Sequence, residues 1–235
     1  MDFVILAAGD GTRMHGKSPK PLIKLSGQPI LKHVIDRLTE ANPDRLIVVT
    51  GYRRQQIDAF LSQQRGAYPF EIITVINREV DRENGYSLLL VESLIQDRFL
   101  LAMADHLVDP KLYLKARDHH GLGLCIDRSP TLTLTPAQID DATKVRVEGE
   151  QIKAIGKALE CWNGIDTGVF SMTPQVFEAL NALKHQRKIA ITDAVSTLIR
   201  WGEPFWGIDV SGTFWGDIDT PEDLEWIEKQ YPSLE

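Results

Sequence analysis

FVILAAGDGTRMHGKSPKPL, residues 3–22, joins an apolar run to a glycine-rich segment and then to two closely spaced prolines. The run of branched and small apolar residues predicts a strand that is buried on both faces. Gly9 and Gly11 follow this strand and allow backbone N–H groups to approach an anionic ligand closely. This order of strand and glycine-rich loop indicates a protein that binds phosphate groups.

Two familiar phosphate-binding motifs match part of this stretch. Residues 11–18 fit the P-loop pattern GxxxxGK[ST], but Pro19 and Pro21 disfavour the helix that a P-loop requires at this point. The dinucleotide-binding fingerprint expects glycine or alanine where Met14 stands. Neither motif explains the whole stretch, although FLLAMAD at 99–105 is similar to a Walker B strand and keeps the P-loop alternative open.

A glycine-rich loop followed by an extended segment that carries a lysine accounts for every residue of the stretch. Pro19 and Pro21 hold Lys20 on a stiff segment, which suits a cation that has to meet one phosphorus atom. Arg13 can bind terminal phosphates through two parallel hydrogen bonds. We therefore expect Lys20 to contact the α-phosphate of a nucleoside triphosphate and Arg13 to hold the β and γ phosphates. Lys17 has no such proline frame, and phosphate steering and solvent exposure are equally open to it.

Strands and helices alternate along the first half of the chain. Because continuous apolar strands separated by helices form parallel sheets that are covered on both faces, the pattern predicts an α/β fold. Ligands bind such sheets at the carboxyl ends of the strands, where Gly9, Thr50, Asn77 and Asp105 stand. The predicted strands are 3–8, 45–51, 70–77 and 98–105, and the predicted helices are 29–41, 53–64 and 86–96.

The second half of the chain has shorter strands, which predict a mixed sheet within the same domain. Its last helix has Thr220 as the N-cap residue and Pro221 at the first helical position. The predicted strands are 121–127, 143–149, 151–157, 164–172, 204–210 and 213–218, and the predicted helices are 174–184, 191–201 and 220–231.

The composition limits the classes of protein to which this chain can belong. With 235 residues, 43% hydrophobic and 25% charged, the chain has the make-up of an ordinary globular enzyme. A net charge of −7 leaves no basic surplus to neutralise a nucleic-acid backbone. No apolar run approaches the ~20 residues of a membrane span, the N-terminus lacks the basic start of a signal peptide, and the two cysteines lack metal-ligand spacing. We expect a cytoplasmic protein that binds no nucleic acid and has no membrane segment.

The opening stretch resembles the signature of the nucleotidyltransferases that activate sugar phosphates and related alcohol phosphates, LAAGxGxR[ML] followed by a PKP element. The resemblance covers most of the chain. It implies their Rossmann-like α/β fold, the GT-A-like nucleotidyltransferase fold, with a mostly parallel sheet flanked by helices. It also implies a single domain over 1–235, with a nucleotide-binding half of about 1–118 and an acceptor-binding half of about 119–235. The residues expected to bind the nucleotide through this signature are Leu6, Ala7, Ala8, Gly9, Gly11 and Thr12.

The same resemblance implies a metal site. LLAMADH resembles the family's strand that ends in a metal-binding aspartate, here Asp105, and FWGDIDTPEDL resembles a second metal-binding element with Asp217 and Asp219. Mg²⁺ is usually held by one or two carboxylates together with phosphate oxygens. We expect Mg²⁺ as the cofactor and leave open which of Asp217 and Asp219 is its main second ligand. His106 is expected to lie beside the ligands rather than to bind the metal.

Further residues are candidates for contacts to the base and to the acceptor. GIDTGVF resembles the acceptor-side strand, and Lys157 resembles the family's acceptor-side lysine, which would hold the acceptor phosphate. Asp166 and Thr167 are expected to contact acceptor hydroxyls. Three residues beside a predicted helix are expected to read the base edge or the ribose: Asn84, Gly85 and Ser87.

Residues 141–170 with 83–89 are most similar to the inositol-1-phosphate cytidylyltransferases. This similarity implies CTP and inositol 1-phosphate as substrates, and as partner a membrane-embedded synthase, fused or associated, that uses CDP-inositol. Transfer to choline phosphate or to a hexose 1-phosphate on the same fold stays open as an alternative, because these residues do not fix the base or the acceptor. A non-catalytic nucleotide-binding regulator is the alternative from a different class, and the combination of Arg13, Lys20, Asp105 and Asp217 argues against it.

Overall fold

The computed structural model describes residues 1–14, 18–130 and 134–230, and for Thr12 the backbone only. The strands are β1 (Asp2–Ala7), β2 (Lys24–Leu25), β3 (Gln28–Pro29), β4 (Arg45–Thr50), β5 (Glu71–Ile76), β6 (Phe99–Met103), β7 (His106–Val108), β8 (Gly123–Asp127), β9 (Lys144–Glu148), β10 (Gln151–Gly156), β11 (Gly164–Met172), β12 (Trp206–Asp209) and β13 (Trp215–Asp217). The α-helices are α1 (Ile30–Thr39), α2 (Arg54–Gln64), α3 (Glu83–Leu89), α4 (Pro110–Asp118), α5 (Pro136–Asp141), α6 (Gln175–Leu183), α7 (Ile191–Arg200) and α8 (Pro221–Gln230).

One nine-stranded sheet takes strands from both halves of the chain, in the order β5-β4-β1-β6-β11-β8-β12-β10-β9. The four strands β5, β4, β1 and β6 are parallel, and β12 is parallel to β8. The remaining neighbours are antiparallel. Two-stranded sheets are formed by β13 with β7 and by β2 with β3. The predicted fold class, a Rossmann-like mixed sheet flanked by helices, is confirmed.

Side chains of the central strand β1 alternate between two hydrophobic clusters. Phe3 and Ile5 pack in a cluster with residues of α1, α2 and α4 on one face of the sheet. Val4 and Leu6 pack in the other cluster, with residues of α3, α6 and α7. Because successive side chains of a strand point to opposite faces, an unbroken apolar run is what a strand covered on both sides requires.

The structure differs from the sequence-based prediction at three helices. The helix predicted over 86–96 begins at Glu83 and ends at Leu89, and a separate 3-10 turn follows at Glu92–Leu94. The helices α4 and α5 were not predicted, although each begins with an N-cap residue and a proline. The hydroxyl of Thr135 caps α5 in a reciprocal capping box with Gln138, and α5 contains no buried residue. Its hydrophobic pattern is therefore too weak to predict it.

Among residues 1–14, 18–130 and 134–230, no helix combines the length and the apolar character that a membrane crossing requires.

Candidate active site

A pocket of about 210 Å³, here called the small pocket, opens at the carboxyl end of β1. Gly11 has a φ of +58°, which favours glycine, and a Cβ at this position would lie 2.7 Å from the Cβ of Lys20. Glycine is therefore needed both for the turn and for the approach of the lysine. The pocket is lined by residues of the glycine-rich loop and of the neighbouring strand ends: Leu6, Ala7, Gly9, Asp10, Gly11, Arg13, Lys20, Pro21, Ala104, Asp105 and Asp219.

The extended segment predicted around Lys20 ends at Pro19, and Lys20–Leu22 form a 3-10 turn. Pro19 is extended, with ψ of 142°, and Pro21 is tolerated at the second position of the turn because no intrahelical donor is needed there. The α-helix that a P-loop would place after Ser18 does not form, since these three residues make a single turn. The prolines still fix Lys20, whose side chain is only 6% exposed.

The ammonium group of Lys20 lies among three carboxylates. Its Nζ is 2.6 Å from Oδ2 of Asp105, donates a hydrogen bond to Oδ1 of Asp219 and lies 3.7 Å from Oδ1 of Asp217. Burial opposes the charge, but the three carboxylates raise the pKa of Lys20 above its usual value. The lysine is therefore charged. Together with Arg13, which bonds to Asp219, it sets two positive charges against three carboxylates, so that one negative charge is left for a further cation when all three are ionised.

A small antiparallel sheet brings the distant carboxylates together. His106 of β7 pairs with Asp217 of β13, and the N–H of Ile218 donates to the carbonyl oxygen of Asp105 over 3.0 Å. The indole N–H of Trp215 donates to the buried carboxylate of Asp127 over 2.9 Å, which ties β13 to β8. Asp105 and Asp217, which the sequence analysis assigned to two separate segments, therefore face the same site.

The geometry of this site fits a divalent cation. Asp105, His106 and Asp217 each offer one ligand atom, and these atoms lie within 4.8 Å of one another. Oδ1 of Asp217 is buried and has no hydrogen-bond partner among the described residues. Burial and the neighbouring Asp105 raise the pKa of Asp217 to about 7, against the opposing effect of His106. A buried carboxylate oxygen without a partner is costly unless it is protonated or binds a cation, and carboxylate oxygens are ligands that Mg²⁺ prefers.

The three predicted metal ligands differ in the contacts that their carboxylate groups already make. Burial opposes the ionisation of Asp105, but Lys20 and His106 hold the pKa of Asp105 below its usual range. Both oxygens of Asp219 are engaged by cationic side chains, Oδ1 by Lys20 and Oδ2 by Arg13. Of the two aspartates left open by the sequence, Asp217 therefore has the free oxygen and Asp219 organises the cations.

Arg13 and Lys157 meet at a carboxylate that the sequence analysis missed. Nη1 of Arg13 donates to Oδ2 of Asp141 over 2.8 Å, and Nζ of Lys157 donates to Oδ1 of Asp141 over 3.0 Å. Asp141 is the last residue of α5, which is also tied to α8 because Gln138 donates to Asp223 over 2.9 Å. The capping motif Thr-Pro-x-Gln predicts the start of this helix. No local sequence pattern predicts that its last residue, Asp141, reaches Arg13 and Lys157.

A second cavity of about 690 Å³, here called the large cleft, adjoins the cluster and shares Arg13 and Asp219 with the small pocket. Arg13, Lys157, Asp166 and Asn84 all line it, together with Asp217. Burial raises the pKa of Asp166 to about 6, although the N–H of Gly168 donates to this carboxylate over 2.7 Å and opposes the shift. The cleft therefore joins the two predicted phosphate-binding cations to polar side chains that can bond to hydroxyl groups.

Several predicted binding residues have their polar groups directed into the protein instead. The hydroxyl of Thr167 is buried and donates to the carbonyl oxygen of Cys125 over 2.8 Å. The hydroxyl of Ser87 is buried and accepts a hydrogen bond from Asn77 over 2.9 Å. Gly85 packs on backbone, since a Cβ there would lie 2.6 Å from the carbonyl oxygen of Ile189. The structure does not bring these three residues to either cavity wall.

The remaining nucleotide-side predictions have four different outcomes. Leu6, Ala7, Gly9 and Gly11 line the small pocket. Ala8 is buried, and its carbonyl oxygen accepts a hydrogen bond from the N–H of Tyr52 over 3.0 Å. The side chain of Asn84 lines the large cleft while its oxygen accepts from the N–H of Ile191 over 2.9 Å. The side chain of Thr12 and the whole of Lys17 lie outside what the structure describes.

Comparisons with known proteins point to one kind of enzyme. Residues 3–131 match the family model of the MobA-like NTP transferase domain. A bifunctional IPC transferase and DIPP synthase of Aquifex aeolicus is 35% identical over 231 residues, which make up 96% of this chain and 50% of that protein. The protein of the same description from Archaeoglobus fulgidus is 34% identical over 95% of this chain and 42% of its own length. The chain thus spans about half the length of these curated relatives.

Two solved structures have the same architecture. The inositol-1-phosphate CTP transferase from T. maritima superposes with a TM-score of 0.87 at 25% identity, over 99% of this chain and 95% of its own. UDP-glucose pyrophosphorylase in complex with UDP-glucose superposes with a TM-score of 0.80 at 19% identity, over 99% of this chain and 98% of its own. The second likeness concerns the fold alone.

Proposed function

Because this chain belongs to the MobA-like NTP transferase family, we propose that it is a nucleotidyltransferase that moves CMP from CTP to inositol 1-phosphate, giving CDP-inositol and pyrophosphate. The resemblance to nucleotidyltransferases found in the sequence is confirmed at the level of the family. The choice of CTP and of an inositol phosphate is supported by the bifunctional relatives and by the 25% identical transferase structure. The proposal covers this chain as one domain with a nucleotide side and an acceptor side.

The observation that carries the proposal is the position of Lys20. The buried ammonium group of Lys20 lines the small pocket and lies against Asp105 and near Asp217. It also bonds to Asp219, which with Arg13 lines both the small pocket and the large cleft and so marks their junction. A triphosphate bound along the glycine-rich loop would bring its α-phosphate to this junction, and an acceptor phosphate held by Lys157 would reach the same junction from the other side.

The acceptor phosphate needs no general base. A phosphate monoester has a second pKa of about 6 and is mostly dianionic at pH 7, so it can attack the α-phosphorus directly. Charge neutralisation and alignment then make up most of the catalysis, as in phosphoryl transfer generally. In this scheme Lys20 stabilises charge on the α-phosphate, Arg13 holds the departing pyrophosphate and Lys157 orients the acceptor.

Asp105 and Asp217 would hold the divalent cation, for which we propose Mg²⁺. Bound there, the ion would neutralise charge on the triphosphate. Asp219 contributes by engaging both Lys20 and Arg13, so that the two cations keep a fixed spacing until phosphate groups replace the carboxylate as their partners.

The polar side chains of the large cleft favour a polyol as the acceptor alcohol. Asp166, Asn84 and Thr192 line the cleft that also contains Lys157, and each offers a group that can bond to a hydroxyl. A buried carboxyl with a raised pKa can also donate when it is protonated, which suits an alcohol oxygen.

We also propose a partner protein that uses the product. The relatives in question are described as bifunctional, and this chain aligns with about half of their length. A synthase that uses CDP-inositol, fused or associated and embedded in a membrane, would consume what this domain makes.

Pyrophosphate release across a matrix of substrates tests the proposal. Each of CTP, UTP, GTP and ATP is combined with inositol 1-phosphate, phosphocholine or glucose 1-phosphate in the presence of Mg²⁺. We expect CTP with inositol 1-phosphate to give the largest kcat/KM. Comparable activity with glucose 1-phosphate, or preference for phosphocholine, would overturn the acceptor assignment, and CTP binding without turnover for any acceptor would favour a regulatory protein.

A further inference from the structure

The imidazole of His106 is held in one orientation by the backbone. Its Nδ1 lies 2.9 Å from the carbonyl oxygen of Thr167. A carbonyl oxygen can only accept, so Nδ1 carries the hydrogen and donates it. In the neutral ring Nε2 therefore has the lone pair, and in this structure Nε2 faces the carboxylates of the metal site. A ring nitrogen bonded to a carbonyl oxygen while the other is free is the usual arrangement of a histidine that binds a metal.

A glycine makes room for this ring. Gly168 has a φ of +80°, and a Cβ built on it would lie 2.3 Å from Nδ1 of His106 and 2.7 Å from its Cε1. No side chain of any size fits at this position while the ring keeps its place. Gly168 follows Thr167, so the two residues that define the ring's position are neighbours in β11, where the pairing with β8 shifts register.

The distances at the other nitrogen match a shared ligand set better than a hydrogen bond. Nε2 of His106 is 3.6 Å from Oδ1 of Asp217 and 3.9 Å from Oδ1 of Asp105. Both separations exceed a normal N–H···O distance. Asp105 presents its other oxygen, Oδ2, to Lys20, and one ligand atom each from Asp105, His106 and Asp217 lie within 4.8 Å of one another.

We propose that His106 is a third protein ligand of the metal site, so that the site combines one imidazole nitrogen with the carboxylates of Asp105 and Asp217. The inference deepens the proposed function and rests on its metal requirement, but not on which substrates are used. Imidazole favours first-row transition ions over Mg²⁺, which prefers oxygen. The site therefore binds Mn²⁺ more tightly than Mg²⁺, and the excess comes from His106.

Manganese binding to the whole chain, with the metal alone, tests the assignment. Mn²⁺ is titrated and the free ion is followed by electron paramagnetic resonance, and pulsed measurements on the bound ion detect coupling to a ¹⁴N nucleus. Two variants remove the ligand nitrogen: His106→Ala, and His106→Asn, whose amide keeps a donor for the carbonyl of Thr167. His185→Gln is the matched control, since His185 is an exposed histidine outside the site. Asp105→Asn shows that the ion counted is the one in this site.

The wild-type protein and His185→Gln are expected to show nitrogen coupling, and both His106 variants are expected to lose it. Mn²⁺ affinity should fall at least about tenfold in the His106 variants, while Mg²⁺ affinity, measured by competition with Mn²⁺, should change less. The proposal is overturned if bound Mn²⁺ shows no nitrogen coupling, if His106→Asn keeps it, or if no Mn²⁺ binding depends on Asp105.

Failure of this inference can be told apart from failure of the proposed function. Nitrogen coupling without pyrophosphate release from any substrate pair would leave the ligand in place and remove the enzyme assignment. Pyrophosphate release from CTP without nitrogen coupling would keep the enzyme assignment and remove His106 as a ligand, leaving a metal site with oxygen ligands only.

Discussion

The small pocket and the large cleft share Arg13 and Asp219 in their walls, but different interactions stabilise the two regions. The small pocket is lined by the glycine-rich loop and by neighbouring strand ends, and its central cation is buried, with 6% of the Lys20 side chain exposed. The large cleft is lined by residues of α5, which has no buried residue. Polar contacts hold this helix, from Asp141 to Arg13 and Lys157 and from Gln138 to Asp223. The side chains of Asp141, Arg13 and Lys157 are 52–60% exposed.

The difference lies in the energy needed to change each region. Removing one partner of a buried charge pair typically costs about 3–5 kcal/mol, whereas exposed ion pairs contribute about 0–1 kcal/mol. The small pocket is therefore preformed, whereas the exposed ion pairs of Asp141 cost little to break. The following predictions test this contrast, beginning with the largest expected effect.

Replacing Lys20 by methionine should lower kcat by about 10²–10³ or more while changing the KM for CTP far less, because the ammonium acts on charge that develops in the transition state. Stability should fall as well, since the carboxylates around it lose their counter-charge. Steady-state kinetics and thermal unfolding measure both effects. Lys153→Met is the matched control, because Lys153 is exposed and its ammonium bonds to Gln151. A kcat within about threefold of the wild type would remove Lys20 from the chemistry.

Asp166→Asn should stabilise the protein at pH 8 by up to about 3 kcal/mol, because burial raises the folded pKa of Asp166 to about 6 and above its unfolded value. Between about pH 4 and 6 the folded state holds a proton that the unfolded state loses. The wild type therefore loses stability as the pH rises through this range, and the loss levels off above the folded pKa.

Asparagine cannot ionise, so the variant should show a flatter curve over this range. Chemical denaturation at a series of pH values measures the free energy of unfolding of each protein. Asp140→Asn, which changes an exposed neighbour of the cleft, is the control. Equal pH dependence in both proteins would place Asp166 in a more solvated site than the structure shows.

Lys157→Met should raise the KM for the acceptor phosphate about tenfold, because the variant loses a charge-assisted hydrogen bond. This effect is at the low end for such a bond, since the Lys157 side chain is 60% exposed. The KM for CTP should stay within about twofold. A larger effect on CTP than on the acceptor would mean that Lys157 belongs to the triphosphate, and the division between the two regions would have to be redrawn.

Asp141→Asn should lower the KM values of both substrates two- to fivefold, because its carboxylate competes with phosphate groups for Arg13 and Lys157 and an exposed ion pair contributes at most about 1 kcal/mol. Asp140→Asn, one residue earlier on α5, is the matched control. Raised KM values would instead make Asp141 a residue that positions the two cations, and α5 would then be part of the preformed site.

The contrast also explains what could be predicted from the sequence. Arg13, Lys20 and the glycines are close in the chain, so spacing and proline stiffness alone place them in one pocket. Thr167 and Ser87 stand beside the site in sequence, yet their hydroxyls bond to Cys125 and Asn77, and such core contacts depend on strands that no local pattern identifies. Asp141 was missed because its role depends on two cations that are distant in sequence.

The pairing of β7 with β13 has a consequence for biosynthesis. Asp217 reaches Asp105 only when the strand Trp215–Asp217 has joined His106–Val108. A nascent chain that has already formed its parallel strands therefore displays a glycine-rich loop without the second half of the cation site. The order of translation therefore delays the meeting of Asp105 and Asp217 until the strand Trp215–Asp217 has left the ribosome.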